Sequence, residues 1–165
     1  MRVYLPATTA VLAELLATGA LGPAPLTAFA VTPALREWYL DDDAEALEYA
    51  ATSEAARGSL RLLDADPTAA RRRVVLAADV PDSAVTVRDD LDRGVVYVAE
   101  EVPLAAIASV HADDADAEPT VAVAAESIIA ADLGDVQAQD RVDDAEGFEL
   151  AWYANQEIAG LLDSL

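Results

Sequence analysis

Residues 73–99 read RVVLAADVPDSAVTVRDDLDRGVVYVA, and the way this stretch folds sets the fold class of the chain. The runs VVLAADV, AVTV and GVVYVAEEV are rich in β-formers. They are separated by Pro81-Asp82-Ser83 and Asp92-Arg93-Gly94, residue types that make tight turns. A central β-meander is therefore expected. The alternation of strand and helix that builds a doubly wound parallel sheet does not persist through this stretch, which argues for an α+β domain with a mixed or mainly antiparallel sheet and helices packed on it.

Toward the N-terminus, RVYLPA alternates and reads as a strand to Leu5, stopped by Pro6. Thr8 or Thr9 then caps a helix whose Val11, Leu12, Leu15 and Leu16 recur at helical spacing until Gly19 ends it. LTAFAV reads as a short strand, Thr32-Pro33 opens a helical turn reaching Trp38-Tyr39, and an acidic loop follows. EALEYAATSEAARGSLRLL, residues 45–63, reads in two ways. Propensity favours one long helix; the alternative is a strand through Tyr49 that turns into a helix near Thr52 or Ser53.

Toward the C-terminus, the apolar run IASVHA leads into DDADAEP, where Asp116 has the character of an N-cap and Pro119 that of a first-turn residue for TVAVAAESIIAA. Gly134 closes that helix, DVQAQDRVDDAE forms a short polar one, and the chain finishes on FELAWYANQEIAGLLDSL. The two ends echo each other weakly: strand, helix, spacer, aromatic strand, helix. Matching Tyr49-Ala50 to Tyr153-Ala154 favours the strand-to-helix reading of residues 45–63 and an internal duplication. On this reading ELAWYANQEI, residues 149–158, is a joint between a strand and a helix. Leu150, Trp152 and Ala154 share one strand face, Ala151 and Tyr153 the other, and Asn155 caps the helix. A buried Trp152 would cost about 3–5 kcal/mol on truncation to alanine.

A chain of 165 residues is expected to form a single domain, residues 1–165. It has no cysteine, which removes thiol catalysis, thiolate metal sites and disulfides, and fits a reducing compartment. It also has no lysine, so Schiff-base chemistry and the phosphate-binding lysine of nucleotide-binding loops are absent. Ten basic residues against 31 acidic ones give a net charge of −21. That balance repels nucleic acid and acidic membrane surfaces and favours a basic protein partner. The one basic cluster, Arg71-Arg72-Arg73, reads as a solvated strand entrance. The apolar run of the first twenty residues is interrupted by Pro6 and Glu14 and has no basic leader, and no stretch reaches the roughly 20 apolar residues of a membrane span. A cytoplasmic protein is expected.

His111 is the single histidine and precedes Asp113, Asp114 and Asp116. A calcium loop fails on Pro119 and Ala125, where glycine and glutamate are required, and the acidic run at Asp41-Asp42-Asp43 fails in the same way. No metal site is expected. Ser109 shares a strand face with His111 but is not expected to pair with it readily, since no nucleophile elbow accompanies it and nothing marks an oxyanion hole. No glycine-rich dinucleotide loop is present, so no cofactor is indicated. The candidate ligand or interaction residues are His111, Asp113, Asp114, Trp152, Tyr153, Arg36 and Arg88.

The strings RVYLPAT, LTAFAVTPALREWY, EYAATSEAARGSLRLLDAD, RRRVVLAADVPD, DRGVV, VHADDADAEP, AADLGD and LAWYANQEI span nearly the whole chain. As a set they resemble a family of small, acidic, alanine-rich actinobacterial proteins of uncharacterised function. The resemblance implies a bacterial cytoplasmic setting and brings no activity, cofactor or catalytic residue. Two functions remain open. The first, favoured by the charge, is a non-enzymatic interaction or regulatory module. The second is a small-molecule-binding protein or enzyme with a site near His111, which a cavity joining the imidazole to carboxylates and an aromatic would support.

Overall fold

The computed structural model describes residues 1–39 and 42–165. Leu40 and Asp41 lie outside the described residues, and with Asp41 so does part of the acidic run expected at 41–43. In chain order the elements are β1 (Arg2–Ala7), α1 (Thr9–Thr18), β2 (Ala20–Leu21), β3 (Leu26–Phe29), α2 (Pro33–Tyr39), α3 (Ala44–Ala65), β4 (Val74–Asp79) and β5 (Val85–Val87). They continue with β6 (Val95–Val98), β7 (Val102–Pro103), β8 (Ile107–Ala112), α4 (Glu118–Asp132), α5 (Val136–Glu146), β9 (Ala151–Ala154) and α6 (Ile158–Asp163). No helix among the described residues is long and apolar enough to cross a membrane.

Seven strands form one sheet in the order β5-β6-β3-β1-β4-β8-β9, and every pairing in it is antiparallel. The α+β class with a mainly antiparallel sheet is as the sequence indicates. The connectivity of the central run differs from a meander. Only β5 and β6 form a hairpin, while β3 and β1 lie between β6 and β4. Burial explains the difference. From Val74 to Ala78, β4 is buried at every position and needs cover on both faces, which the middle of the sheet provides; the largely exposed β5 suits an edge.

Alternation of side chains divides the core. Val3, Leu5, Val74, Leu76, Val110 and Ala112 point to the face covered by α1 and α6, where they meet Leu12, Leu15, Ile158 and Leu161. Tyr4, Val75 and Ala77 point to the opposite face and meet Ala51 and Ala55 of α3. A third cluster joins the far half of α3 to the α4–α5 helical hairpin through Leu60, Leu63, Val121, Ile128 and Val142.

Local signals hold where expected. Thr8 accepts from the Val11 amide at 3.2 Å and Gly19 closes α1 at φ 83°, while Gly134, at φ 97°, follows α4. Pro119 lies in the first turn of α4, although a 3-10 turn at Ala115–Ala117 holds Asp116 and leaves it no capping role. The strand also runs through Pro6 to Ala7, because only β4 is paired alongside it there.

Residues 45–63 form one helix, so the strand expected at Tyr49 is absent, and with it the aromatic strand that the internal echo needs in the first half. The Asp43 side chain accepts from the Glu45 amide at 3.0 Å, and Leu47, Ala51, Ala55 and Leu63 are buried on the inner side, so intrinsic propensity and packing agree. Small residues let α3 lie close on β1: a Cβ at Gly58 would come within 2.6 Å of the Pro6 ring. Next to it, buried Ser59 donates to the Ala7 carbonyl at 2.7 Å and accepts from the Val74 amide at 3.1 Å, bridging the ends of β1 and β4. Gly58→Ala is expected to cost about 1–3 kcal/mol by overpacking. Gly160→Ala, with nothing within 4 Å of the new Cβ, is expected to be neutral or to gain up to about 1 kcal/mol. Urea unfolding of the two variants checks the contrast.

Candidate functional site

One face of α3 presents Tyr49, Thr52, Ser53, Ala56, Arg57 and Leu60, residues three and four apart and therefore stacked along the helix. Opposite them run Glu146, the last residue of α5, and the connection from α5 to β9, with Phe148, Glu149 and Leu150. Between the two walls lie His111 of β8 and Arg73, the residue before β4, and the cavity they form, open to solvent on one side, has a volume of about 290 Å³. Its apolar surface comes from Ala56, Leu60, Phe148 and Leu150; its polar groups come from both walls and from the sheet.

Arg73 is 3% exposed at its side chain and Asp113 is 0%. The carboxylate accepts from Nε at 2.8 Å, from Nη2 at 2.7 Å and from the Arg73 amide at 2.8 Å, while Nη2 also donates to the Phe148 carbonyl at 2.9 Å. The solvated entrance expected at Arg71-Arg72-Arg73 is thus corrected at all three positions. Arg71 donates to the carbonyl of Leu63 in the last turn of α3 and to those of Asp66 and Ala69 beyond it, and Arg72 pairs with Glu118 at 2.7 Å. The three charges of this cluster are tied down because each guanidinium has a carbonyl or carboxylate within reach.

The Nη1 of Arg73 makes no hydrogen bond, and no buried side-chain polar atom among the described residues lacks a partner. That nitrogen therefore opens onto the cavity that Arg73 lines. Arg57 is more fully engaged, with Glu146 at 2.9 Å and the Gln139 side-chain oxygen at 2.9 Å. Glu149 has no ion pair or hydrogen bond among the described residues.

His111 is half-buried, and desolvation, with a smaller contribution from the positive charge of Arg2, holds its imidazole below the ordinary range, so the ring is neutral near pH 7. Its Nε2 lies 3.1 Å from Ser109 Oγ. The two residues do pair, contrary to the expectation from the missing elbow, because alternate positions of a strand share a face. Ser109 is only 6% exposed and is not on the cavity wall, so the contact orients the imidazole rather than offering a nucleophile to the cavity. Asp113 is held by Arg73 and is not available to His111. Among the described residues no group of three or more histidines and carboxylates is arranged to hold a metal ion.

Of the candidate residues, only His111 lines the cavity. Asp113 stands behind it through Arg73. Asp114 is exposed at the turn before α4, Arg36 is exposed on α2, and Arg88 pairs with Asp90 beside β5, at the opposite edge of the sheet from β9. Arg88 also lies over the Tyr97 ring, 4.6 Å from its centroid. Trp152 is the cross-strand partner of His111 and so shares its face, but it is 62% exposed on the edge strand. Tyr153 is the aromatic that packs against the core. The arginines at the cavity, Arg57 and Arg73, had no local signal to mark them. Glu146, Phe148 and Glu149 lacked one as well, since what brings them there is the path of the chain between α5 and β9.

A family model matches residues 1–162 of the chain. The chain belongs to DUF6912, a family of unknown function. Searches of curated proteins and of solved structures return no match. Membership in DUF6912 agrees with the resemblance to an uncharacterised family and assigns no residue a role.

The joint at ELAWYANQEI is present, as β9, a 3-10 turn at Asn155–Glu157 and then α6, but with different contacts from those expected. Asn155 does not cap the helix. Its amide donates to the carbonyls of Leu104 at 2.6 Å and Ile107 at 2.8 Å, fastening the approach to β8, while Glu157 accepts from the Ala154 amide at 2.7 Å. Trp152→Ala is therefore expected to change stability by less than about 1 kcal/mol. Asn155→Ala, which strips two carbonyls of their donor, should cost about 1–3 kcal/mol. Denaturant unfolding that ranks the two in the opposite order would refute this assignment of contacts.

Proposed function

We propose that this chain binds a small organic molecule, without chemical turnover, in the cavity between α3 and the α5–β9 connection. The observation that carries the reading is the convergence of a neutral imidazole, an open guanidinium nitrogen and two carboxylates on one half-apolar cavity of about 290 Å³. Pockets that bind small molecules combine an apolar lining with a few polar groups in this way, and this volume suits a compact ligand. The turnover-free reading is supported by Ser109, which lies off the cavity wall, and by Asp113, which Arg73 holds. His111, the single histidine of the chain, gives one imidazole proton resonance to follow. In a set of fragments spanning anionic, neutral and cationic compounds, at least one is expected to shift it, and Ser53→Trp, which fills the cavity from α3, should abolish the response while the variant stays folded. A set that leaves the resonance unmoved at millimolar concentration would count against the reading.

A basic protein partner is a second reading, favoured by the exposed Trp152 on an edge strand of a chain with a net charge of −21. For both readings we assign a bacterial cytoplasmic setting, in keeping with the cysteine-free composition. Capture of a partner from the cytoplasmic fraction is then expected to weaken with salt and to fall in Trp152→Ala. Capture that neither salt nor the substitution changes would refute this second reading.

A further inference from the structure

We propose that the cavity is selective for a small organic cation: an amine joined to a neutral acceptor oxygen and a compact apolar body, with the amine held at Glu149 and the oxygen at Arg73 Nη1. The inference rests on the small-molecule reading of the cavity. It narrows that reading to one class of ligand.

Charge balance comes first. Arg57 and Arg73 supply two positive charges, and Glu146 and Asp113 match them as close ion pairs. Glu149 is left over, so two cations against three carboxylates leave one negative charge at the site. An anionic ligand meets no unmatched cation there and must approach a chain of net charge −21. An ammonium group meets an unpaired carboxylate and is drawn in by the same field. Tyr49, exposed at the lip of the cavity, and Phe148 add aromatic rings, whose faces attract cations.

The second observation is the buried end. Arg73 is more than nine-tenths buried and one of its nitrogens is open to the cavity without a protein acceptor. A guanidinium already forked onto a carboxylate offers those hydrogens with little net charge, which suits an amide or ketone oxygen. Ala56, Leu60 and Leu150 provide the apolar surface between the two polar ends.

Titration of the His111 imidazole resonance with four compounds separates the possibilities: phenylalaninamide has amine and oxygen, N-acetylphenylalaninamide lacks the cation, 2-phenylethylamine lacks the oxygen, and 3-phenylpropanoate is an anion. Phenylalaninamide is expected to bind at least about tenfold more tightly than each of the others, the scale of one desolvated charge-assisted contact. Glu149→Gln, at an exposed position, should weaken it by about five- to tenfold and leave the N-acetylated compound unchanged. If the neutral or anionic compound binds as tightly, or if Glu149→Gln has no effect on phenylalaninamide, the cavity is a ligand site but the cation assignment is wrong. If neither these compounds nor the broader fragment set moves the resonance, both the assignment and the small-molecule reading fall.

Discussion

Arg73 and Asp113 meet as a bidentate pair with almost no exposed surface, joining the residue before β4 to the residue after β8. Two charges withdrawn from water are tolerated only when their hydrogen bonds are met. Here the carboxylate takes three donors, and the guanidinium reaches on to the Phe148 carbonyl. One interaction thus ties together the ends of two neighbouring strands and holds the α5–β9 connection against them. That connection is one wall of the cavity, so the cavity exists because the pair does. Removing one partner of such a pair typically costs about 3–5 kcal/mol, since the other is left charged and buried.

The opposite wall is set at the same end of the sheet. Ser59 links α3 to Ala7 and to Val74, the neighbour of Arg73, and the absence of a side chain at Gly58 lets the helix settle on Pro6. With α3 fixed there, its Tyr49-to-Leu60 face looks toward β8 and the imidazole of His111. Helix, sheet and connection are then held apart at a distance fixed by backbone and buried polar contacts, and the remaining space between them is the cavity.

The acidic composition has a structural counterpart in how the arginines are used. Arg2 pairs with Asp79, Arg57 with Glu146, Arg61 with Asp132 and Arg72 with Glu118, and three of these four pairs join residues more than 70 positions apart. Exposed pairs of this kind contribute little individually. Together they engage four of the chain's ten arginines in contacts between separate parts of the fold, and the acidic excess is left facing solvent, where it sets the field that a ligand or partner meets.

Features that depend on neighbours in sequence were legible. The Thr8 cap, the left-handed Gly19, Pro119 in a first turn and the β-rich central run all act over a few residues, where propensity and stereochemistry decide. The long helix at 45–63 was legible too in its propensity, and only the echo with the C-terminal segment argued against it. His111 could be singled out because it has no rival in the chain, and Ser109 could be placed on its face by strand parity. What the sequence by itself determined about this protein is therefore its class of elements, its chemistry of charge without cysteine or lysine, and one member of the cavity. Only the tertiary structure decided that Arg73 is buried, that Tyr153 rather than Trp152 faces the core, and that Glu149 stands unpaired near His111. Each of those depends on a partner far along the chain, 40 residues away for Arg73 and Asp113. Which acceptor a guanidinium reaches, and which face of an edge strand is covered, is settled only when the elements pack.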